Sequence, residues 1–349
     1  MIRSLFFLHF LVSVVLTGHG QSTAQPRSNP SLPGYSGFHS NLGIQEIIEV
    51  GIPLQESDPL PKTEVKKGST APSSSQTDST EAVSPQSQES SSLKLSSQAG
   101  IRAYSTSNVL RQDSSLAQSS GVFESSLGVG LSQDAYKVTD YMTMLPRLDL
   151  MMQWAWYDKS SELLNYRFGL VKGGIAFGFP DNWSVGTSID YNTLNNLETG
   201  DKSFDSISPS VSLQKIFPTS ETSFFMFDTM VRWSNMDTTV SFPAAGIFPD
   251  STDNHQFSFS VTYIKLLGAE QEWTIMPRVA INRTNYTKDP NTGRLDYLFN
   301  AGLSAIYNLN DWFSVQGFGT YNKMNSDDET VPDFKAFDIG MSMNANFRF

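Results

Sequence analysis

The last thirteen residues alternate without exception. Phe337, Ile339, Met341, Met343, Ala345, Phe347 and Phe349 are apolar, and Asp338, Gly340, Ser342, Asn344, Asn346 and Arg348 between them are polar or small. Successive side chains of a β-strand point to opposite faces, so a strict period of two predicts a strand with one oily and one wet surface. At about 3.3 Å per residue the run would span about 43 Å, more than a small sandwich usually needs and ample for a tilted strand crossing a bilayer.

The pattern recurs backwards along the chain. Tyr297, Phe299, Ala301, Leu303, Ala305 and Tyr307 alternate with Asn300, Gly302 and Ser304, and Trp273, Ile275, Val279 and Ile281 with Thr274, Arg278 and Asn282. Phe257 to Tyr263, Phe225 to Trp233, Trp183 to Tyr191 and Leu148 to Trp156 behave in the same way. Near residue 166 the oily set reads as Tyr166, Phe168 and Leu170 and then changes phase to Ile175, Phe177 and Phe179, which a β-bulge at Gly173-Gly174 would explain. Short turns at Pro180 to Asn182, Phe217 to Ser220, Leu266 to Ala269 and Leu309 to Asp311 alternate with longer loops near 193 to 203, 234 to 254, 287 to 294 and 323 to 333. Short connections on one rim and long ones on the other are the rhythm of a closed up-and-down barrel in an outer membrane.

Composition removes most other classes. Cysteine is absent, which excludes disulfides, thiolate metal sites and cysteine nucleophiles. A net charge of −11 lacks the basic footprint of a nucleic-acid binder. Only four histidines occur, two of them in the leader, so zinc chemistry and histidine-based triads have little to build on. Residues 1 to 24 read as a signal peptide: Arg3 precedes an apolar run too short to span a bilayer comfortably, with cleavage after Gly20 or Ala24. Residues 25 to 97 read as a disordered Ser/Pro/Gln-rich periplasmic segment. Within it, Ile44 to Val50 reads as a short strand or as a peptide that docks on a partner. Residues 98 to 349 remain for the barrel, and a bilayer could be crossed by strands alone.

Aromatic placement agrees. Trp183, Trp273 and Trp312 each follow a short turn, and Tyr191 and Tyr321 come about 20 Å further along the barrel axis, as two girdles of a membrane band would. In these features the chain resembles the bacterial outer-membrane β-barrel proteins, including their porins. The resemblance covers roughly residues 98 to 349. It identifies Met341, Met343, Ala345, Phe347 and Phe349 with the family's terminal assembly signal, and it implies insertion by the barrel assembly machinery. Counting strands back from Phe349 gives ten to about Pro146, then Gly121 to Leu131 and a weaker one at Gln98 to Asn108. The expected fold is therefore an all-β, transmembrane, antiparallel up-and-down barrel of about twelve strands, with ten as the alternative if the first two form a plug or tail.

If the oily face meets lipid, the other lines the lumen. Its charges are Glu124, Arg147, Asp149, Arg167, Asp190, Asp228, Arg232, Arg278, Asp296, Asp338 and Arg348. These could prop the barrel as ion pairs, line a pore, or do both. Asp228 and Arg232 lie about 13 Å apart along one strand, so each needs a partner elsewhere, with Arg278, Arg147 and Asp149 as candidates. The loops are acidic, and Asp327, Asp328, Glu329 and Asp333 could hold divalent cations against lipopolysaccharide, although their spacing lacks the ligand periodicity of an EF-hand. An enzyme is the competing class. His255 near Asp250 and Asp253 would supply its base, while the Ser212-Leu-Gln-Lys215 and Ser91-Ser-Leu-Lys94 motifs lie in a strand and a linker rather than on the helix such a motif needs. The sequence thus reads as a non-enzymatic, cofactor-free outer-membrane barrel whose partners are lipid, lipopolysaccharide and the assembly machinery. Two functions fit it: passive porin-like passage of small solutes, or a structural or adhesive barrel whose loops or N-terminal tail bind a partner.

Overall fold

A computed structural model describes residues 93–238, 253–289, 291–329 and 331–349. The expectations for the leader, for the linker up to residue 92, for Ile44 to Val50 and for Asp250 lie outside these residues, whereas residues 93–97, expected in the linker, belong to the first strand, where they pair in register with their neighbours. Thirteen strands follow one another: β1 (Leu93–Thr106), β2 (Ser120–Gln133), β3 (Tyr136–Thr139), β4 (Met142–Tyr157), β5 (Tyr166–Phe179), β6 (Trp183–Asn196), β7 (Lys202–Ser220), β8 (Ser223–Thr238), β9 (Asn254–Leu267), β10 (Trp273–Tyr286), β11 (Leu295–Asn308), β12 (Phe313–Ser326) and β13 (Phe334–Arg348). Each pairs antiparallel with its neighbour in sequence, except that β2 passes over β3 to pair with β4 and β1 pairs with β13. Twelve strands therefore close a barrel. The thirteenth, β3, forms a small hairpin with the start of β4 at the rim where the short turns lie.

Alternation fixes which face each residue takes. Ile339, Met341 and Met343 are exposed on the outside of β13, and Asp338 and Ser342 are buried within. The same division holds on β10, where Val279 and Ile281 are exposed and Thr274, Ala280 and Asn282 are buried. An exposed apolar belt around a polar interior reverses the soluble pattern and suits a barrel surrounded by hydrocarbon. Closure satisfies the sheet edges that an open sheet would leave bare. Turns follow local chemistry: at the β5–β6 connection Asp181 and Asn182 both take φ of 60°, a left-handed conformation that Asp and Asn tolerate better than most residues.

Two features depart from the sequence expectation. The register of β5 against β4 and β6 runs unbroken through Gly173 and Gly174, so there is no bulge. Without the phase change, Tyr166, Phe168 and Leu170 point inward, where they are 1%, 0% and 4% exposed, and Arg167 is exposed on the outside. Leu170 and Val171 are adjacent and both apolar, which leaves the phase ambiguous when one strand is read alone. Its neighbours decide it, because Phe168 stands opposite inward-facing Gln153 on β4 and Leu194 on β6.

The second departure is an apolar core inside the barrel. Phe168 packs with Tyr104, Val122, Ala155, Tyr157 and Leu194 among others, and Val109 and Leu164 from the loops join them. Full burial of one such side chain is worth roughly 1.5 to 3 kcal/mol. Gly340 makes room for this layer on β13: a Cβ there would lie 2.4 Å from the Tyr104 Cβ and 2.3 Å from the Ala103 carbonyl oxygen. Over that gap Tyr104 and Phe318 meet edge to face at 6.1 Å, with the Arg102 guanidinium 4.2 and 4.4 Å from their ring centroids.

Candidate functional site

The interior charges sort into bound and unbound sets. Arg232 on β8 reaches across β7 to Asp190 on β6 at 2.5 Å, and its Nε donates to Ser234 at 3.2 Å. Asp190 also accepts from Asn192 at 2.5 Å. Arg147 donates from Nε to Asp149, two residues along the same strand, at 2.8 Å. Arg102 pairs with Glu124 across the β1–β2 ladder at 3.2 Å, and the Tyr104 hydroxyl donates to the same carboxylate at 3.0 Å. Near the long-loop rim Arg294 pairs with Asp296 at 3.1 Å and lies 3.9 Å from the centroid of the Tyr286 ring. Asp338 accepts from Asn322 at 3.1 Å and feels the charge of Arg111, which the 107–119 loop folds inward over the Phe334 ring.

Asp228 and Arg278 differ from all of these. They act on each other electrostatically, yet no side-chain hydrogen bond or ion pair joins either to any described residue. Asp228 stands in register between Gln214 on β7 and Ser260 on β9, and Arg278 between Thr262 on β9 and Gly302 on β11. Both are partly exposed, as are Ser212, Met230 and Gly302 around them. Three donors nearby have no acceptor among the described residues: Arg278 Nε, Gln214 Nε2 and the Thr262 hydroxyl. Lys172 on β5 adds a positive charge that also acts on Asp228.

Of the charges expected in the lumen, Glu124, Arg147, Asp149, Asp190, Asp228, Arg232, Arg278, Asp296 and Asp338 take inward positions. Arg167 does not, for the reason of phase given above. Arg348 has inward parity but lies exposed at the short-turn end of β13. Of the candidate partners, Asp149 does not serve Arg232: it is held by Arg147, and Arg232 pairs with Asp190 instead. Sequence reading missed Arg102, Lys172 and Arg294. The weak first strand hid Arg102, the false bulge hid Lys172, and the third sits in a loop whose return into the barrel no periodicity reveals.

The aromatic positions lie outward. Trp183, Trp273 and Tyr191 are exposed, Lys215 sits 4.9 Å over Trp183, and Trp273 meets Tyr307 at 4.7 Å. Trp312 stacks on Phe347 at 5.5 Å. Tyr321 helps line a largely apolar concavity of about 530 Å³ with Val261, Pro277, Val279, Ala301 and Leu303. In the terminal strand Met341, Met343 and Phe349 are exposed, Ala345 is buried and Phe347 is half-buried. Phe349 exchanges backbone hydrogen bonds with Leu95, which closes the seam. His255 is exposed at the long-loop rim with no side-chain hydrogen bond among the described residues. Carboxylates of the 327–333 loop serve the loop itself: Asp327 accepts from the Leu295 N–H and Asp333 from the Ser326 N–H. Among the described residues no group of His, Asp or Glu is arranged to hold a metal ion.

No protein-family model and no curated sequence matches the chain. Solved structures similar to it include an outer membrane channel from Pseudomonas putida F1, at 10% identity and TM-score 0.46, covering 76% of this chain and 100% of that one. Another is an anion-selective porin from Comamonas acidovorans, at 9% identity and TM-score 0.37, covering 74% and 100%. The β domain of the Bordetella autotransporter BrkA gives 11% identity and TM-score 0.39, covering 72% and 98%. The fold itself is a closed antiparallel barrel of twelve strands with an apolar outer belt. These likenesses extend to the barrel and no further.

Proposed function

We propose that the chain is an exported outer-membrane protein that lets small polar solutes pass, passively and without a cofactor, through a narrow wet path along the β8–β11 wall. The observation that carries this reading is the pair Asp228 and Arg278. Two opposite charges left without contact partners inside a dry barrel would be expensive, whereas water in a lumen solvates them. Their partial exposure and the small residues around them support a wet midsection. In this reading the aromatic residues anchor the two membrane interfaces, the strand ending in Phe349 is recognised by the barrel assembly machinery, and the acidic loops face lipopolysaccharide.

A second reading has its own support. The apolar layer around Phe168 and the inward fold of the 107–119 loop fill much of the interior beneath the long-loop rim, as a structural or adhesive barrel would require. Conductance of the purified full-length protein in planar bilayers separates the two. Ohmic steps are expected, and they should grow when residues 109 to 118 are deleted. Silence from both proteins would refute the channel and leave the structural barrel.

A further inference from the structure

We infer that Asp228 and Arg278 form a binding site for a small zwitterion, a solute that carries an ammonium group and a carboxylate on neighbouring atoms, as an α-amino acid does. The inference rests on the channel reading and names the solute class it favours. Asp228 and Arg278 project from strands two apart, about 10 Å across the sheet at about 4.8 Å per strand. They attract one another without touching. Ser260, Ala280 and Gly302 are the neighbours between and beside them, and all three are small residues.

The surrounding polar groups set the ligand's chemistry. Gln214 receives the Ser184 hydroxyl on its Oε1 at 3.2 Å, which leaves its Nε2 as an unused donor. Gln214 stands opposite Asp228 on β7 and Thr262 opposite Arg278 on β9, so Gln214 Nε2 lies on the carboxylate side and the Thr262 hydroxyl lies with Arg278 Nε on the guanidinium side. A ligand for the guanidinium side must bring acceptor oxygens, because a guanidinium binds a carboxylate with two parallel hydrogen bonds. A simple anion would do this while facing Asp228, and a simple cation would satisfy Asp228 while facing Arg278. Only a molecule with both charges meets both residues with the right sign. It also leaves the balance of the site unchanged, so that release onward is not opposed by a residual charge.

Glycine is the smallest probe, with acetate and methylammonium as its two halves. Calorimetric titration of the purified full-length protein should show glycine binding about tenfold more tightly than either half. Asp228→Asn should shift the preference to acetate and Arg278→Gln to methylammonium, while the charge-swapped double variant, Asp228→Arg with Arg278→Asp, should recover glycine. Heat-modifiable mobility checks that each variant is folded. If Arg278→Gln does not fold, Arg278→Lys keeps the charge without the two-pronged geometry and should weaken glycine several-fold. Equal binding of all three probes by the native protein, or variants that leave the preference unmoved, would overturn the inference even if the barrel conducts. Glycine binding by a protein silent in bilayers would uphold the site and refute the channel.

Discussion

Around Phe168 the interior of the barrel is packed like the core of a soluble domain, whereas around Asp228 and Arg278 the same wall carries charges that touch no described partner. Ala155, Phe168 and Leu194 have no exposed surface. Asp228, Ser212, Met230 and Gly302 all keep some. Both regions obey one alternation and one ladder, so the sheet alone does not decide whether a twelve-stranded barrel is full or hollow. Side-chain size at the inward positions decides it. Aromatic and leucine side chains fill the section beneath the long loops, and smaller side chains surround Asp228 and Arg278 in the midsection.

The widest gap between the two regions should appear in their arginines. Arg232→Gln strands the buried Asp190 carboxylate and should cost about 3 to 5 kcal/mol in urea unfolding. Arg278→Gln has no contact to break and should leave the midpoint nearly unchanged. Similar losses at both sites would mean that the midsection is as dry as the rest. Phe168→Ala should be nearly as damaging, about 3 kcal/mol or more, because packed neighbours cannot refill the space. If the variant were instead neutral, the layer around it would have to be loosely filled. On the outside, Val279→Arg places a charge in the apolar belt and should cost about 2 to 4 kcal/mol. Ser260→Arg on the inner face, in register with Asp228, gives its charge a partner and should be better tolerated. Equal penalties would remove the membrane assignment of the outer face.

The smallest effect lies at the long-loop rim. There the Ser120 hydroxyl, at 2.5 Å, and the Gly121 N–H, at 2.8 Å, hold the Asp158 carboxyl below the ordinary aspartate value of 3.8, with the hydroxyl the larger cause. A depressed pKa means that the folded state favours the ionised form. The contribution is complete above pH 3.8 and is lost as pH falls through the folded value. Asp158→Asn should therefore melt slightly below the native protein at neutral pH and match it in stronger acid. A difference that persists or grows in acid would assign the effect to something other than this titration.

The architecture was largely legible in the sequence because a period of two is imposed by the strand itself. Twelve strands, the alternating connection lengths and nine of the inward charges followed from it. What periodicity does not carry is the identity of the medium each face meets. Phe168 reads as lipid-facing because it is apolar, and only its pairing with Gln153 and Leu194 turns it inward. The candidate site was half legible: Asp228 and Arg278 were placed on the inner face, but their isolation was not. That isolation depends on Arg232 being drawn to Asp190, on Gly302 lacking a side chain and on Thr262 lacking a partner, all of which are cross-strand facts.

The seam between β1 and β13 has a consequence for how the molecule comes into being. Every other wall joint except that between β2 and β4 unites consecutive strands, and even that one skips only a four-residue hairpin. Most of the cylinder can therefore grow by local additions as the chain emerges. The last joint brings together the two ends of the sheet, and Leu95 and Phe349 lock it with a reciprocal pair of backbone hydrogen bonds. Until that joint forms, both terminal edges present bare N–H and C=O groups that hydrocarbon does not tolerate. In the membrane reading a nearly finished sheet is thus less fit for the bilayer interior than the closed cylinder, which ties membrane entry to closure.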